Sequence, residues 1–199
     1  MKSAQAGQRP YVMRERARSA AETADRILDA TTELFTEGPY TQLTLAAVAE
    51  RAGVTVQTVI RRFGDKEGLV AAAATRETAT ISSQRGAAPP GNPAGIVDNL
   101  VDHYEVHGDM ALRLLAEEEA SPTIGAITRA GRDYHRDWCA RVFAPVLSGL
   151  TGVDRDRRHA QLVAVCDVYT WKLLRRDAGL SRRQTTTALL ELLEPLTST

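Results

Sequence analysis

Apolar residues recur every three to four positions through most of the chain, the period of helices packed on one face. Ala24, Ile27, Leu28, Leu34 and Phe35 share a face of a first helix predicted from about 20 to 36. Ser19 and Glu22 form a capping-box pattern at its start, and Gly38-Pro39 supplies its stop. Leu45, Val48, Ala49 and Ala52 mark a short second helix that Thr44 can cap and Gly53 ends. A third is predicted from Thr55 to Phe63. A fourth, over 65–84, carries Leu69, Val70, Ala73 and Ile81 behind Asp65 as N-cap. The stretch GAAPPGNPAG, residues 86–95, breaks the period and reads as a loop.

Helices resume over about 95–107 and 109–119. A longer one opens at Ser121-Pro122 and runs to about 149, and the next spans 154–178, closed by Gly179. A second capping box, Ser181 with Gln184, opens the last one through Leu196. No segment alternates with the period of two of a strand. The predicted fold class is all-α, with a three-helix head, a larger C-terminal helical bundle and about nine helices. Residues 1–18 read as a flexible basic arm with Arg14, Arg16 and Arg18, residues 19–66 as the head, and residues 67–199 as the second domain with the fourth helix as connector.

With 199 residues and 43% apolar content the chain can bury a real core. No apolar run approaches the roughly 20 residues that cross a bilayer, and the Arg-rich start lacks the apolar core of a signal peptide; the expected location is cytoplasmic, with no membrane partner. Lys and Arg equal Asp and Glu at 25 each, so net charge by itself does not announce a nucleic-acid partner. Cys139 and Cys166 lie in apolar helical contexts and read as two buried thiols; sequence alone leaves their pairing open.

The corner at Ala52-Gly53-Val54 changes the picture. A turn of three to four residues between two short helices makes them cross steeply, the geometry of a helix-turn-helix. Val59 and Phe63 point inward with Val54, which leaves Gln57, Thr58, Arg61 and Arg62 outward. Amides, hydroxyls and guanidiniums on one exposed face suit a DNA major groove, where Gln can bind adenine bidentately, Thr can bond or touch a thymine methyl, and Arg can hold phosphate or guanine. A polar-faced helix pair also occurs in proteins that never meet DNA.

The order Thr44, Val48, Ala49, Ala52, Gly53, Val54, Thr55, Val59, Phe63, Lys66, Glu67 and Leu69 resembles the DNA-binding head of the tetracycline-repressor (TetR) family of bacterial transcriptional regulators, over about residues 20–70. The resemblance implies that Val56, Gln57 and Thr58, following Thr55, lie over base edges, and that Thr44 and Lys66 grip phosphates. Helix N-termini favour anions on independent grounds. Three positions depart from the family: Ile60 replaces a tyrosine that contacts phosphate, Gln57 replaces a glycine, and Arg62 replaces a His or Tyr. Ile60 cannot hydrogen-bond, so Arg61 or Arg62 is expected to supply the lost phosphate contact.

By the same resemblance the C-terminal domain dimerises and takes a small-molecule effector of unknown identity, and the whole is expected to repress from a pseudo-palindromic double-stranded DNA operator as a homodimer. The apolar stripes Leu162, Val165, Tyr169, Leu173 and Leu189, Leu193 are the candidate dimer interface. His103, Tyr104, His107, Met110, Arg113, Trp138 and Tyr169 are candidate effector contacts, although aromatic residues at helical spacing more often form plain core. His103 and His107 have a spacing that could hold a metal but no third ligand, so neither metal nor cofactor is expected. An enzyme is not expected: paired Glu-x-x-His motifs, a Gly-x-Ser-x-Gly elbow and a His-Glu-x-x-His helix are all missing from the sequence. The alternative is a helical protein-interaction adaptor whose head does not read DNA. Salt separates the two: Arg61, Arg62 and Lys66 from two subunits imply a log-log affinity slope of about −5, an adaptor none.

Overall fold

The computed structural model describes residues 8–198, with side chains from Glu15 onward, Arg16 apart. It comprises two compact units, Met1–Arg76 and Glu77–Thr199, and no strand is found among the described residues. All-α is the fold class.

The first unit opens with α1, Gln8–Glu37. This helix starts well before residue 20, so residues 8–18, expected as a flexible arm, are its first turns; residues 1–7 of that arm, and the side chains of Arg14 and Arg16, lie outside the described residues. The capping box at Ser19 does not form, because Ser19 sits inside the helix, where its carbonyl accepts from Thr23 Oγ1 at 2.8 Å. The Ala, Arg and Glu around it are strong helix formers. Arg18 also pairs with Glu15 at 2.9 Å and Glu22 at 3.5 Å, at helical spacing. A 3₁₀ turn, Tyr40–Gln42, leads to α2, Leu45–Ala52, and α3, Val56–Phe63.

Both short helices start on a threonine. Thr44 Oγ1 accepts from the Ala47 amide at 3.1 Å and Thr55 Oγ1 from the Thr58 amide at 3.2 Å, each such cap stabilising its helix by about 1 kcal/mol. Ile27, Phe35, Leu43, Val48, Ala49, Ala52 and Val59 are buried together with Leu69 and Val70 of α4, Lys66–Gly86. The unit boundary falls inside α4, between Arg76 and Glu77, rather than near residue 66. Besides those buried residues, Arg76 ties the first half of α4 to α1, pairing with Asp29 at 2.8 Å and donating to the Asp25 carbonyl at 3.2 Å.

The second unit holds the rest of α4 and α5, Pro93–Ala116; α6, Pro122–Val142; α7, Ala144–Leu147; α8, Gly152–Val165; α9, Val168–Lys172; a π-helical turn, Leu173–Asp177; and α10, Arg182–Thr197. Three predicted boundaries are corrected. The helices expected over 95–107 and 109–119 are one helix, since Gly108 serves packing rather than termination: a Cβ there would lie 2.5 Å from Trp171 Cζ3. The helix expected to reach 149 breaks at Phe143, because Pro145 can neither donate to the preceding turn nor fit against it. The helix expected over 154–178 breaks at Cys166-Asp167, where the Asp167 carboxylate caps a new helix by accepting from the Tyr169 amide at 2.9 Å. The capping box at Ser181 and Gln184 is formed. Val97, Leu100, Tyr104, Trp138, Val142, Phe143, Leu162, Trp171, Leu189 and Leu193 belong to one buried cluster.

Candidate functional site

The head presents α3 through the conformation of a single residue. Gly53 ends α2 at φ +65°, ψ +40°, which lets the Val54 amide donate back to the Ala49 carbonyl at 2.9 Å and turns the chain into α3 within three residues. Arg51 fixes α2 against α1 through two 2.8 Å contacts to Glu37. Val59 is fully buried, so the opposite side of α3 faces outward.

On that side Gln57 and Arg61 are exposed, Thr58 and Arg62 half-buried. Among the described residues neither arginine has a carboxylate partner and the Gln57 amide has no hydrogen bond; Arg62 Nε is buried and unpartnered. The Thr58 hydroxyl is shared with Thr55 at 3.0 Å. Val56 and Ile60, one turn apart, are each 39% exposed. An aliphatic pair on a reading face offers apolar contact, which in a major groove is met by a thymine methyl.

Lys66 is corrected. Its ammonium lies 3.7 Å from the centre of the Tyr40 ring and donates to the Tyr40 carbonyl at 2.5 Å, while the Tyr40 hydroxyl donates to Glu67. Through the ring and the carbonyl the amine ties α4 to the 3₁₀ turn. Thr44 is exposed, with its oxygen engaged as the α2 cap. Sequence reasoning missed one element of the site: α1 contributes Glu15, Ser19, Thr23 and Arg26 to an open groove of about 920 Å³ beside Thr55, Thr58, Arg61 and Arg62. The helix-forming residues before Ser19 were the available signal.

A sequence profile described as bacterial regulatory proteins, tetR family, matches residues 27–73. The head is similar to that of the tetR family. The HTH-type transcriptional repressor KstR of Rhodococcus jostii is 48% identical over 73 residues, a stretch covering 36% of this chain and 34% of that repressor, so the chain matches about a third of this relative's length. Over most of its length the chain has the fold of solved regulators. A transcriptional regulator from Rhodococcus sp. Rha1 superposes with TM-score 0.68 at 19% identity, over 87% of this chain and 95% of that one. The regulator FadR of Bacillus subtilis, solved in complex with stearoyl-CoA, gives 0.60 at 18% identity, over 84% and 96%.

The second unit brings some of the candidate effector residues together and separates others. His103, Tyr104 and Trp138 are buried, His107, Met110 and Arg113 half-buried. The rings pack on one another: His103 lies 5.1 Å from both Tyr104 and His107, and Tyr104 5.7 Å from Trp171. Burial, reinforced by the charge of Arg85, lowers the His103 pKa to about 3, and burial lowers that of His107. Tyr169 is 52% exposed.

The interface residues divide too. Leu162, Leu189 and Leu193 are at most 1% exposed within the chain's own core and cannot face a partner; the period of a stripe does not say which side of it packs at home. Val165 is half-buried against the same core. Tyr169 and Leu173, the latter 60% exposed, remain outside it, as does Leu192 on α10. The residue with the least sequence signal is Arg85, near the end of α4. It reads as an ordinary last-turn cation, yet it is 3% exposed and has no carboxylate partner among the described residues. No cluster of three or more His, Cys, Asp or Glu able to hold a metal occurs among them either.

Proposed function

We propose that this protein is an effector-responsive, DNA-binding transcriptional repressor that acts as a homodimer on a pseudo-palindromic operator in the cytoplasm, without enzymatic activity. One observation carries the reading: α3 leaves the Gly53 corner with Gln57, Arg61 and Arg62 free of intrachain carboxylates or, for Gln57, of any hydrogen bond, the donor set a major groove accepts. Gln57 reads a base edge, Val56 and Ile60 touch methyl groups, and Arg61 and Arg62 hold phosphates. Thr44 and the α1 groove flank the backbone. Two heads are needed, because one short helix reads few bases and half-sites are about 34–36 Å apart. The exposed Tyr169, Leu173 and Leu192 supply apolar surface for pairing. The stearoyl-CoA complex of the similarly folded Bacillus regulator supports a small-molecule effector in the second unit. The effector would act by favouring a state whose heads fit the half-sites less well.

The test is fluorescence anisotropy with DNA flanking the gene, in rising salt and beside excess random DNA. With Lys66 occupied by Tyr40, two subunits neutralise about four phosphates through Arg61 and Arg62, so the log-log slope is expected near −4 rather than −5. Competitor-resistant binding with that slope supports the repressor. Salt-independent or absent binding, both to flanking DNA and in selection from a random library, would leave the protein-interaction adaptor.

A further inference from the structure

Arg85 is a buried cation that the chain itself does not neutralise. It is 3% exposed, and no ion pair among the described residues includes it. Its neighbours are uncharged. Nη2 lies 3.2 Å from His135 Nδ1, and because a guanidinium keeps its protons it donates there, which leaves His135 a neutral ring whose Nε2 proton faces the Val163 carbonyl at 3.3 Å. Aromatic rings surround the rest: the ring centres of Trp138, Tyr104 and Tyr134 stand 4.0, 5.9 and 6.0 Å from the guanidinium carbon. Arg85 Nε is buried and makes no hydrogen bond. A second idle group feels this charge. His103 Nδ1 is buried without a partner, and the positive field of Arg85 adds to burial in holding that ring neutral. Cation–π contacts recover only part of what it costs to take an ion out of water, and an unspent N–H adds to the cost. The missing element is an anion.

We propose that Arg85 is the recognition group for a small monocarboxylate with a flat apolar body, an aryl or conjugated acid, bound among His103 and the rings of α5 and α6. The effector of the reading above, on which this assignment rests, thereby gains a chemical class. One fixed positive charge beside two neutral imidazoles matches a single negative charge, whereas a phosphate dianion would bring a second that nothing here balances. A planar carboxylate suits the planar guanidinium, accepting from Nε–H and a neighbouring N–H, and the neutral His103 ring can supply a further donor. Trp138, Tyr104 and Tyr134 wall the apolar body. Trp138 and Tyr104 are buried and Tyr134 is half-buried, so Tyr134 is the ring that moves to admit the acid. Arg85 stands near the end of α4, the helix whose Leu69 and Val70 are buried in the head, so neutralising it acts on an element that both units share.

The full-length protein is titrated with benzoate, trans-cinnamate and 2-naphthoate, followed by calorimetry and Trp fluorescence, with methyl cinnamate and phenyl phosphate as neutral and dianionic controls. We expect at least one of the three acids to bind saturably with a Kd below about 1 mM, and both controls to bind at least about tenfold more weakly. Arg85→Gln should weaken that acid about tenfold or more, and Arg85→Lys less, since lysine keeps the charge but loses the fork. Arg85→Met removes the buried charge at similar volume; it should hold or raise the Tm of the free protein and abolish binding, and it decides if the Gln variant does not fold. Arg183→Ala, in the open groove lined by Asp98, Arg182, Arg183 and Thr186, should leave binding unchanged. No saturable binding by any of the acids up to about 10 mM, equal binding of the methyl ester, or a loss in Arg183→Ala in place of the Arg85 variants overturns the site. A Tm that falls sharply in both Arg85→Met and Arg85→Lys makes Arg85 a structural cation and overturns it too. If an acid binds through Arg85 without changing operator affinity in anisotropy, the effector-responsive reading fails while the site stands; operator binding with no acid bound is the reverse.

Discussion

Replacing Gly53 tests the corner that aims α3. At φ +65° an L-residue with a Cβ costs about 1–2 kcal/mol, because the Cβ crowds the following carbonyl. A Cβ built at Gly53 meets no atom within 4 Å, so packing adds nothing to that penalty. Alanine also narrows the unfolded ensemble and recovers about 0.4–1 kcal/mol. The net expectation for Gly53→Ala is a loss of about 1 kcal/mol, and Gly53→Asn, whose side chain tolerates the left-handed region, should lose about half as much. For a unit the size of the head this corresponds to a fall in Tm of about 4–8 °C for alanine. Calorimetry of the full-length protein gives the shift, and hydrogen exchange of the α2 and α3 amides assigns it to the head. Well below the transition, operator affinity should be nearly unchanged, since the backbone bonds from Gly53 and Val54 survive either change. Equal losses for Ala and Asn, or no loss for Ala, would refute the positive φ as the origin of the turn.

Gln57→Ala should relax preference at one base position, whereas Arg62→Ala should weaken binding to every sequence and reduce the salt slope by about 2 for the dimer; selection on a randomised operator and a salt titration separate them, and equal sequence-independent losses would remove Gln57 from the reading set. His103 is held neutral, with a folded pKa of about 3 against about 6.5 when unfolded. The unfolded state therefore takes up a proton that the native state refuses, and stability falls as pH drops through that window, by up to about 1.4 kcal/mol per unit. His103→Leu, which also removes a buried and unpartnered Nδ1, should flatten urea-unfolding free energies measured between about pH 6.5 and 4; an unchanged slope would sink the assignment. Gly108→Ala should destabilise by about 1–3 kcal/mol, because the new methyl would sit 2.5 Å from a fully buried Trp171, and thermal melts would expose the error if the variant gained stability from helix propensity instead.

The periodicity made the two short helices of the head legible almost to the residue, because each carries its own punctuation: Thr44 and Gly53 bound one, Thr55 and Gly64 the next. Where punctuation was ambiguous, the chain was misread. Gly108 looks like a stop and is a packing site, while Asp167 looks like a mid-helix polar residue and is a cap. Ser19 satisfied a local pattern that eleven upstream residues of helix made irrelevant. Side-chain roles were harder, since they depend on partners far away in sequence. Tyr40 claims Lys66 across 26 positions, and Arg85 meets His135 across 50. Apolar stripes named Leu162 and Leu189 as candidates for a partner without saying that the chain fills that space itself.

The exposed pair Val56 and Ile60 has a consequence for the state of the DNA as well as for its sequence. Aliphatic side chains on a reading face recognise a methyl group, not the base that bears it. Cytosine methylated at C5 carries that group where thymine does, and uracil lacks it. Operator occupancy is therefore expected to rise when a cytosine beneath Ile60 is methylated and to fall when a thymine there is replaced by uracil.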